Sequence, residues 1–399
     1  MKFKLTLIAA ALTLGSSAFA QTKWDLPAAY PASNFHTENL TQFAADVDKA
    51  TGGKLKITVH ANASLFKANE IKRAVQGGQA QIGEVLLVNF ENENPIYGAD
   101  GLPFVASSYP AARKLADAQK PALDKILGAQ GMKVLYTVAW PPQGIYVNKE
   151  ITAVADMKGL KWRAYSPATS KIAELVGAQP VTVQAAELSQ AMATGVVNSY
   201  MSSGSTGYDT KTYESIKYWY DVQAWLPKNA IIVNKKSFDA LDTATQAAVV
   251  KAAADAEVRG WKVSEEKNEF YKKALAEKGM KIMTPSAKLV ADLRQVGVIM
   301  KADCIKRAGA DGEAVLSAYE KSSTAKKEAC ASCLTGFTTA PRGWALSSWS
   351  ARWSPCWPAC WTGNSPGRCA APTCTPVTAW RPAASWRWRI RSKKANTYA

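Results

Sequence analysis

Hydrophobic positions along this chain recur with two periods, and the switches between them outline its elements. Leu40, Phe43, Ala44 and Val47 fall on one face at helical spacing, and the pattern stops at Gly52–Gly53. Leu55–His60 then alternates with the two-residue period of a strand. A helix over 68–75, stopped by Gly77–Gly78, a strand over 81–87, a helix over 111–127 and a strand over 132–137 follow. Between Met157 and Tyr200 the alternation is densest. Leu160–Arg163 reads as a strand, Ser166–Pro167 opens a helix that closes before Gly177, Pro180–Val183 is a strand, 185–194 a helix ended by Gly195, and a third strand starts at Val196. Proline at the first helical position loses only an N–H that has no partner there, and glycine after the last turn adopts the left-handed cap. This spacing predicts a parallel sheet with covering helices. Arg163 then stands at the carboxyl end of its strand, where open α/β sheets bind ligands.

A strand over 230–234 precedes a long helical pattern. Thr243-x-x-Gln246 predicts a capping box, Ala248, Ala252 and Ala256 recur, and Gly279 ends the run. At ~1.5 Å per residue such a rod measures roughly 54 Å, with Gly260 as its expected soft point. Two further helices are expected over 286–304 and 311–319. At the other end, Lys2 and Lys4, the apolar run Leu5–Leu14 and Ala18–Phe19–Ala20 read as a secretory signal over 1–20. The apolar run is too short to span a bilayer, which takes about 20 residues.

Charge and cysteine matter only through their placement. The net charge is +17, but Lys2 and Lys4 supply 2 of it, and the seven Arg and two Lys beyond Ala329, unaccompanied by any acid, supply 9. Taking 2 and 9 from 17 leaves +6 for the body, no nucleic-acid footprint and compatible with collecting anions. Cys304 is the only cysteine before Cys330, so no disulfide framework is expected in the body. Beyond Ser322 the composition changes: eight of the fourteen Trp lie there among Arg, Pro, Ser and Cys without any period. Residues 323–399 are therefore expected to be a disordered tail, translated out of frame. Cys330-x-x-Cys333 and Cys356-x-x-x-Cys360 lack nearby histidines, so a zinc site is disfavoured.

Several short words in this order point to one family. MKGLKWR (157–163) is similar to an "lkGlKiR" segment, VGAQPV (176–181) to "lGa-P-v", the stretch 187–197 to "E-y-AL-G-vD", and Pro103–Phe104 to "lPF". The chain thus resembles the DctP-type substrate-binding proteins of TRAP transporters from about Trp24 to Tyr319. The resemblance implies an α/β, two-lobe periplasmic-binding-protein fold with a long helix spanning both lobes, the chain crossing between them near Trp140–Tyr146. Lobe I would comprise 21–143 and 231–270, and lobe II 144–230 and 271–322. It also implies a periplasmic protein that captures an organic carboxylate and delivers it to separate membrane subunits, without a cofactor.

Site residues are implied in the same way. Arg163 supplies a planar guanidinium that pairs both carboxylate oxygens and stays charged when desolvated. Phe35, His36, Glu70, Trp140, Tyr200, Ser202 and Ser203 are the other candidates, with Trp162, Tyr165, Tyr208 and Trp225 as nearby rings shared between pocket and core. Two departures from sialic-acid-type members narrow the ligand. Gln143–Gly144 stands where those have a second arginine, and Ser202 replaces an asparagine, beside Tyr200. One carboxylate clamp among rings favours a monocarboxylate with an aromatic or branched apolar group. The alternatives are a solute-binding protein of an ABC importer or a sensor, and an enzyme. For the last, only His36 and His60 serve as histidine bases, the body up to Ser322 holds no G-x-S-x-G elbow, and no G-x-G-x-x-G fingerprint is present.

Overall fold

The computed structural model describes residues 21–335, with side chains to 322; the expected signal segment 1–20 and the stretch beyond 335 lie outside the described residues. The described residues open with β1 (Thr22–Pro27), a strand the hydrophobic pattern does not predict. Trp24 and Leu26 nevertheless alternate inward, and β1 pairs in parallel with β2. Between them α1 (Phe35–Ala50) is capped by Asn34, whose side chain accepts the His36 N–H. β2 (Leu55–His60) leads to α2 (Ile71–Gln76), which starts later than the sequence pattern predicts. The preceding residues form a turn instead, in which the Glu70 carboxylate accepts the Lys67 N–H at 3.0 Å. β3 (Ile82–Leu86), α3 (Tyr109–Ala129) and β4 (Met132–Ala139) complete this part of the lobe.

After β4 the chain crosses into β5 (Gly144–Val147) and builds the second lobe. There β6 (Lys161–Ala164), α4 (Pro167–Leu175), β7 (Gln179–Thr182), α5 (Leu188–Ala193), β8 (Ser199–Ser202), α6 (Gly204–Asp209) and β9 (Tyr218–Tyr220) follow in turn. β6 pairs in parallel with both β7 and β8, as the spacing predicts, and the sheet runs β9-β5-β8-β6-β7, with β11 (Lys281–Met283) added at its β9 edge. The chain returns through β10 (Lys228–Asn234), buried along its whole length between antiparallel β3 and β4. α7 (Lys235–Asp239), α8 (Thr243–Glu277), β11 (Lys281–Met283) and α9 (Ala287–Thr335) close the described chain.

α8 has 35 residues and packs against α1 and β4 of the first lobe and α6 and β11 of the second, so it spans both. Its cap differs from the expected box. Asp242 accepts the Thr245 N–H at 2.8 Å, while the Gln246 amide donates to the Phe238 and Leu241 carbonyls. Gly260 is not a soft point either. A Cβ there would lie 2.5 Å from Val138 Cγ2 and 2.8 Å from Asn39 Nδ2, so the glycine lets the helix press onto β4. α9 kinks at Gly309 (φ 56°, ψ −141°), between the two helices read from the sequence. Before the kink, Leu289, Leu293, Val296 and Met300 pack with Trp162 and Ala164 of the second lobe. After it, Val315 joins Leu115, Leu123 and Leu127 of the first. The segment after Gly309 therefore belongs with the first lobe, not with the second as the lobe II boundary 271–322 had it.

Candidate ligand-binding site

A cavity with about 830 Å³ of empty volume, including its opening to solvent, lies between the lobes. Tyr30, Glu84 and Trp140 face it from the first lobe and Arg163, Tyr165 and Ser202 from the second. Arg163 is the penultimate residue of β6 and is 3% exposed. Its Nε donates to the Val183 carbonyl at 2.8 Å, which fixes the plane of the guanidinium. That group lies 4.9 Å from the Tyr165 ring centroid and 5.8 Å from that of Tyr200. Among the described residues no carboxylate comes within ion-pairing distance of it. Burial lowers its pKa, and Tyr200, Tyr165 and Tyr30 oppose that shift electrostatically. An arginine in this state holds a charge and lacks an anion.

On the opposite wall, the Trp140 indole donates to Asn229 Oδ1 at 2.9 Å and packs edge-on against Tyr30 with centroids 4.7 Å apart. Asn229 in turn donates its amide to Glu84 Oε1 at 2.9 Å. Burial pushes the Glu84 carboxyl up to about 7, with the Asn229 bond pulling the other way. Tyr165 donates its hydroxyl to Gln143 Oε1 at 3.3 Å, and the Gln143 amide is tied to the Pro141 carbonyl at 2.9 Å. Gln143 thus completes the wall with a neutral amide.

Of the residues expected at the site, Arg163, Trp140 and Ser202 line the cavity, as does the ring of Tyr165. Phe35 and His36 stand behind Trp140, with ring centroids 5.6 and 4.2 Å from the indole. The His36 imidazole is held neutral by burial, which drives its pKa well down. Tyr200 lies beneath Arg163, stacked on Tyr146 at 4.4 Å and hydrogen-bonded to Thr212. Ser203 caps α6 by accepting the Thr206 N–H at 3.3 Å. Glu70 is exposed in its turn and away from the cavity wall, because α2 begins after it. Trp162 and Trp225 are core, and Tyr208 is part-buried between the hydrophobic clusters of the two lobes. Sequence reasoning missed Tyr30, Glu84 and Lys67, which also borders the cavity but is exposed. Glu84 left a signal, an acid inside the apolar run 82–88; Lys67 left none. Among the described residues no group of three or more His, Cys, Asp or Glu gathers as metal ligands.

Residues 28–298 match the family described as bacterial extracellular solute-binding protein, family 7. The chain belongs to that family. It is the periplasmic solute-binding component of a TRAP transporter, serving separate membrane permease subunits, and its family is one of transport proteins rather than enzymes. Among solved structures it is similar to DctP6 of Bordetella pertussis, an extracytoplasmic solute receptor binding pyroglutamic acid. The two are 68% identical, with a TM-score of 0.75, over 75% of this chain and 100% of that one. A marine metagenome TRAP solute-binding protein specific for pyroglutamate is 45% identical, with a TM-score of 0.74, over 75% of this chain and 99% of its own. The C4-dicarboxylate-binding periplasmic protein DctP of Rhodobacter capsulatus is 29% identical over 251 residues, 60% of this chain and 72% of its own. The TRAP component shares its fold with the two solved structures.

Proposed function

We propose that this protein captures a compact cyclic monocarboxylate of the pyroglutamate kind between its lobes. The observation that carries this reading is the buried Arg163 guanidinium on the cavity wall, with no carboxylate among the described residues to neutralise it. A ligand carboxylate supplies that charge, and a planar fork fixed by the Val183 carbonyl meets it with two parallel bonds. Arg163, Trp140, Tyr165, Tyr30 and Ser202 form the site in this reading, while Phe35, His36 and Tyr200 hold it in shape from behind. A small ring suits walls made by Tyr30, Trp140 and Tyr165, where apolar faces surround a few fixed polar groups. The similarity to pyroglutamate-binding receptors supports the same class of ligand. A dicarboxylate fits less well. The place beside β5 holds the Gln143 amide, and Lys67 is exposed, so a second buried carboxylate would go unpaired at a cost of several kcal/mol.

A thermal-shift panel tests this. Ligand at 100 times its Kd adds about 2.7 kcal/mol to stability. Pyroglutamate should raise the melting temperature more than succinate, malate or galactonate at equal concentration. A larger shift with a dicarboxylate or a sugar acid, and none with pyroglutamate, would overturn the assignment.

A further inference from the structure

We propose that Glu84 selects the ring chemistry of the ligand: its free carboxyl oxygen donates a hydrogen bond to the carbonyl of a bound lactam. This inference rests on the cyclic monocarboxylate reading above and adds what the far end of the ligand must carry.

Glu84 is 2% exposed, borders the cavity and has one oxygen, Oε2, without a partner in the protein. The orientation of its neighbour is locked. The Trp140 indole N–H can only donate, so the Asn229 atom that receives it at 2.9 Å is the carbonyl oxygen. Asn229 must therefore turn its amide nitrogen to Glu84 Oε1. Oε1 is thereby an acceptor, and Oε2 is left as the position of any proton. The surroundings favour the neutral acid. His36 Nδ1 from α1 is 3.6 Å from Oε1, but burial keeps that imidazole uncharged. Tyr30 and Tyr136 are the other titratable groups that feel Glu84, and burial raises the pKa of both, so they stay as phenols. Among the described residues neither lysine nor arginine forms an ion pair with it. With the carboxyl pushed up to about 7, the protonated form is populated at neutral pH.

A neutral carboxyl with its O–H unpaired requires an acceptor. A lactam carbonyl provides one. The secondary ammonium of proline offers only donors, and a cyclopentane ring offers nothing. The site therefore distinguishes three acids of similar size and equal carboxylate by one hydrogen bond. Ionisation of Glu84 turns the donor into a second acceptor facing the lactam oxygen, so affinity for a lactam acid falls as pH rises through the range where Glu84 titrates.

Titration calorimetry of the full-length protein and its Glu84→Gln and Glu84→Ala variants, with pyroglutamate, cyclopentanecarboxylate and proline, tests this. Wild type should prefer pyroglutamate over the other two by about tenfold or more, a single hydrogen bond's worth. Its pyroglutamate affinity should fall several-fold between about pH 6 and pH 8.5, a span that crosses the titration. Glu84→Gln, which keeps a donor, should keep the preference and lose the pH dependence. Glu84→Ala, checked for folding by its melting curve, should bind pyroglutamate and cyclopentanecarboxylate alike. If Glu84→Ala weakens both ligands equally, or Glu84→Gln shows the wild-type pH profile, the inference alone is overturned. If wild type binds neither ring acid, the cyclic monocarboxylate reading falls and takes the inference with it.

Discussion

Arg163 is available to a ligand because every neighbour holds it without neutralising it. The Val183 carbonyl takes one N–H, and the Tyr165 and Tyr200 rings offer faces, which attract a cation without supplying a counter-ion. Arg163→Ala leaves the ligand carboxylate desolvated against apolar walls, and binding should weaken by more than ~2 kcal/mol. Arg163→Lys keeps charge but loses the fork, and should fall between. Equilibrium dialysis with labelled pyroglutamate measures both. Equal affinity in all three proteins would remove Arg163 from the site. The position of this residue was legible from the sequence because a strand followed by a proline-opened helix fixes where the strand ends. The places of His36 and Tyr200 were not. Whether a ring forms the wall or the layer behind it depends on packing partners remote in sequence, here Trp140 for His36 and Tyr146 for Tyr200. Glu70 failed for a local reason, since the turn at 67–70 delays α2 and leaves the side chain outside.

At the scale of elements, periodicity located most strands and helices of the described chain to within a few residues. It missed the short elements β5, β9, β11, α6 and α7, and it missed β1, a strand with two inward apolar residues before a polar loop, whose partner β2 lies beyond α1. The long helix was legible in length but not in its details. Its cap is Asp242 because that carboxylate reaches both the N–H and the hydroxyl of Thr245, leaving Gln246 free to bind the carbonyls of the preceding turn. Gly260 shows how a residue read as flexible serves close packing. Alanine favours a helix over glycine by about 1 kcal/mol, yet forcing a methyl into a packed contact costs about 1–3 kcal/mol. With Val138 Cγ2 at 2.5 Å from that methyl, the packing term should win, and Gly260→Ala should lower the melting temperature. Adding Val138→Ala should relieve the clash and recover part of the loss. A melting temperature raised by Gly260→Ala alone would mean that α8 has slack over β4.

For the molecule as a whole, the two crossing segments are bound to each other. Trp140 N–H donates to the Pro227 carbonyl at 2.8 Å, Gln143 N–H to that of Trp225 at 3.0 Å, and Ala224 N–H to that of Gln143 at 3.0 Å. This paired ribbon, with α8 alongside, is where lobe motion must be absorbed. A further contact joins the lobes directly, from the Asn34 amide to Asp209 Oδ2 at 2.6 Å, and burial raises the Asp209 carboxyl to about 6. Arg163 is buried between the lobes as the protein stands, in a cavity whose walls come from both, so lobe separation is the expected route by which a ligand gains access to it. Capture is then closure around the carboxylate, with binding energy shifting the population from open to closed. Small-angle scattering with and without saturating pyroglutamate tests this most directly. The radius of gyration should fall on binding, toward the value computed for the closed arrangement of the two lobes. Superimposable curves at saturation would contradict the account.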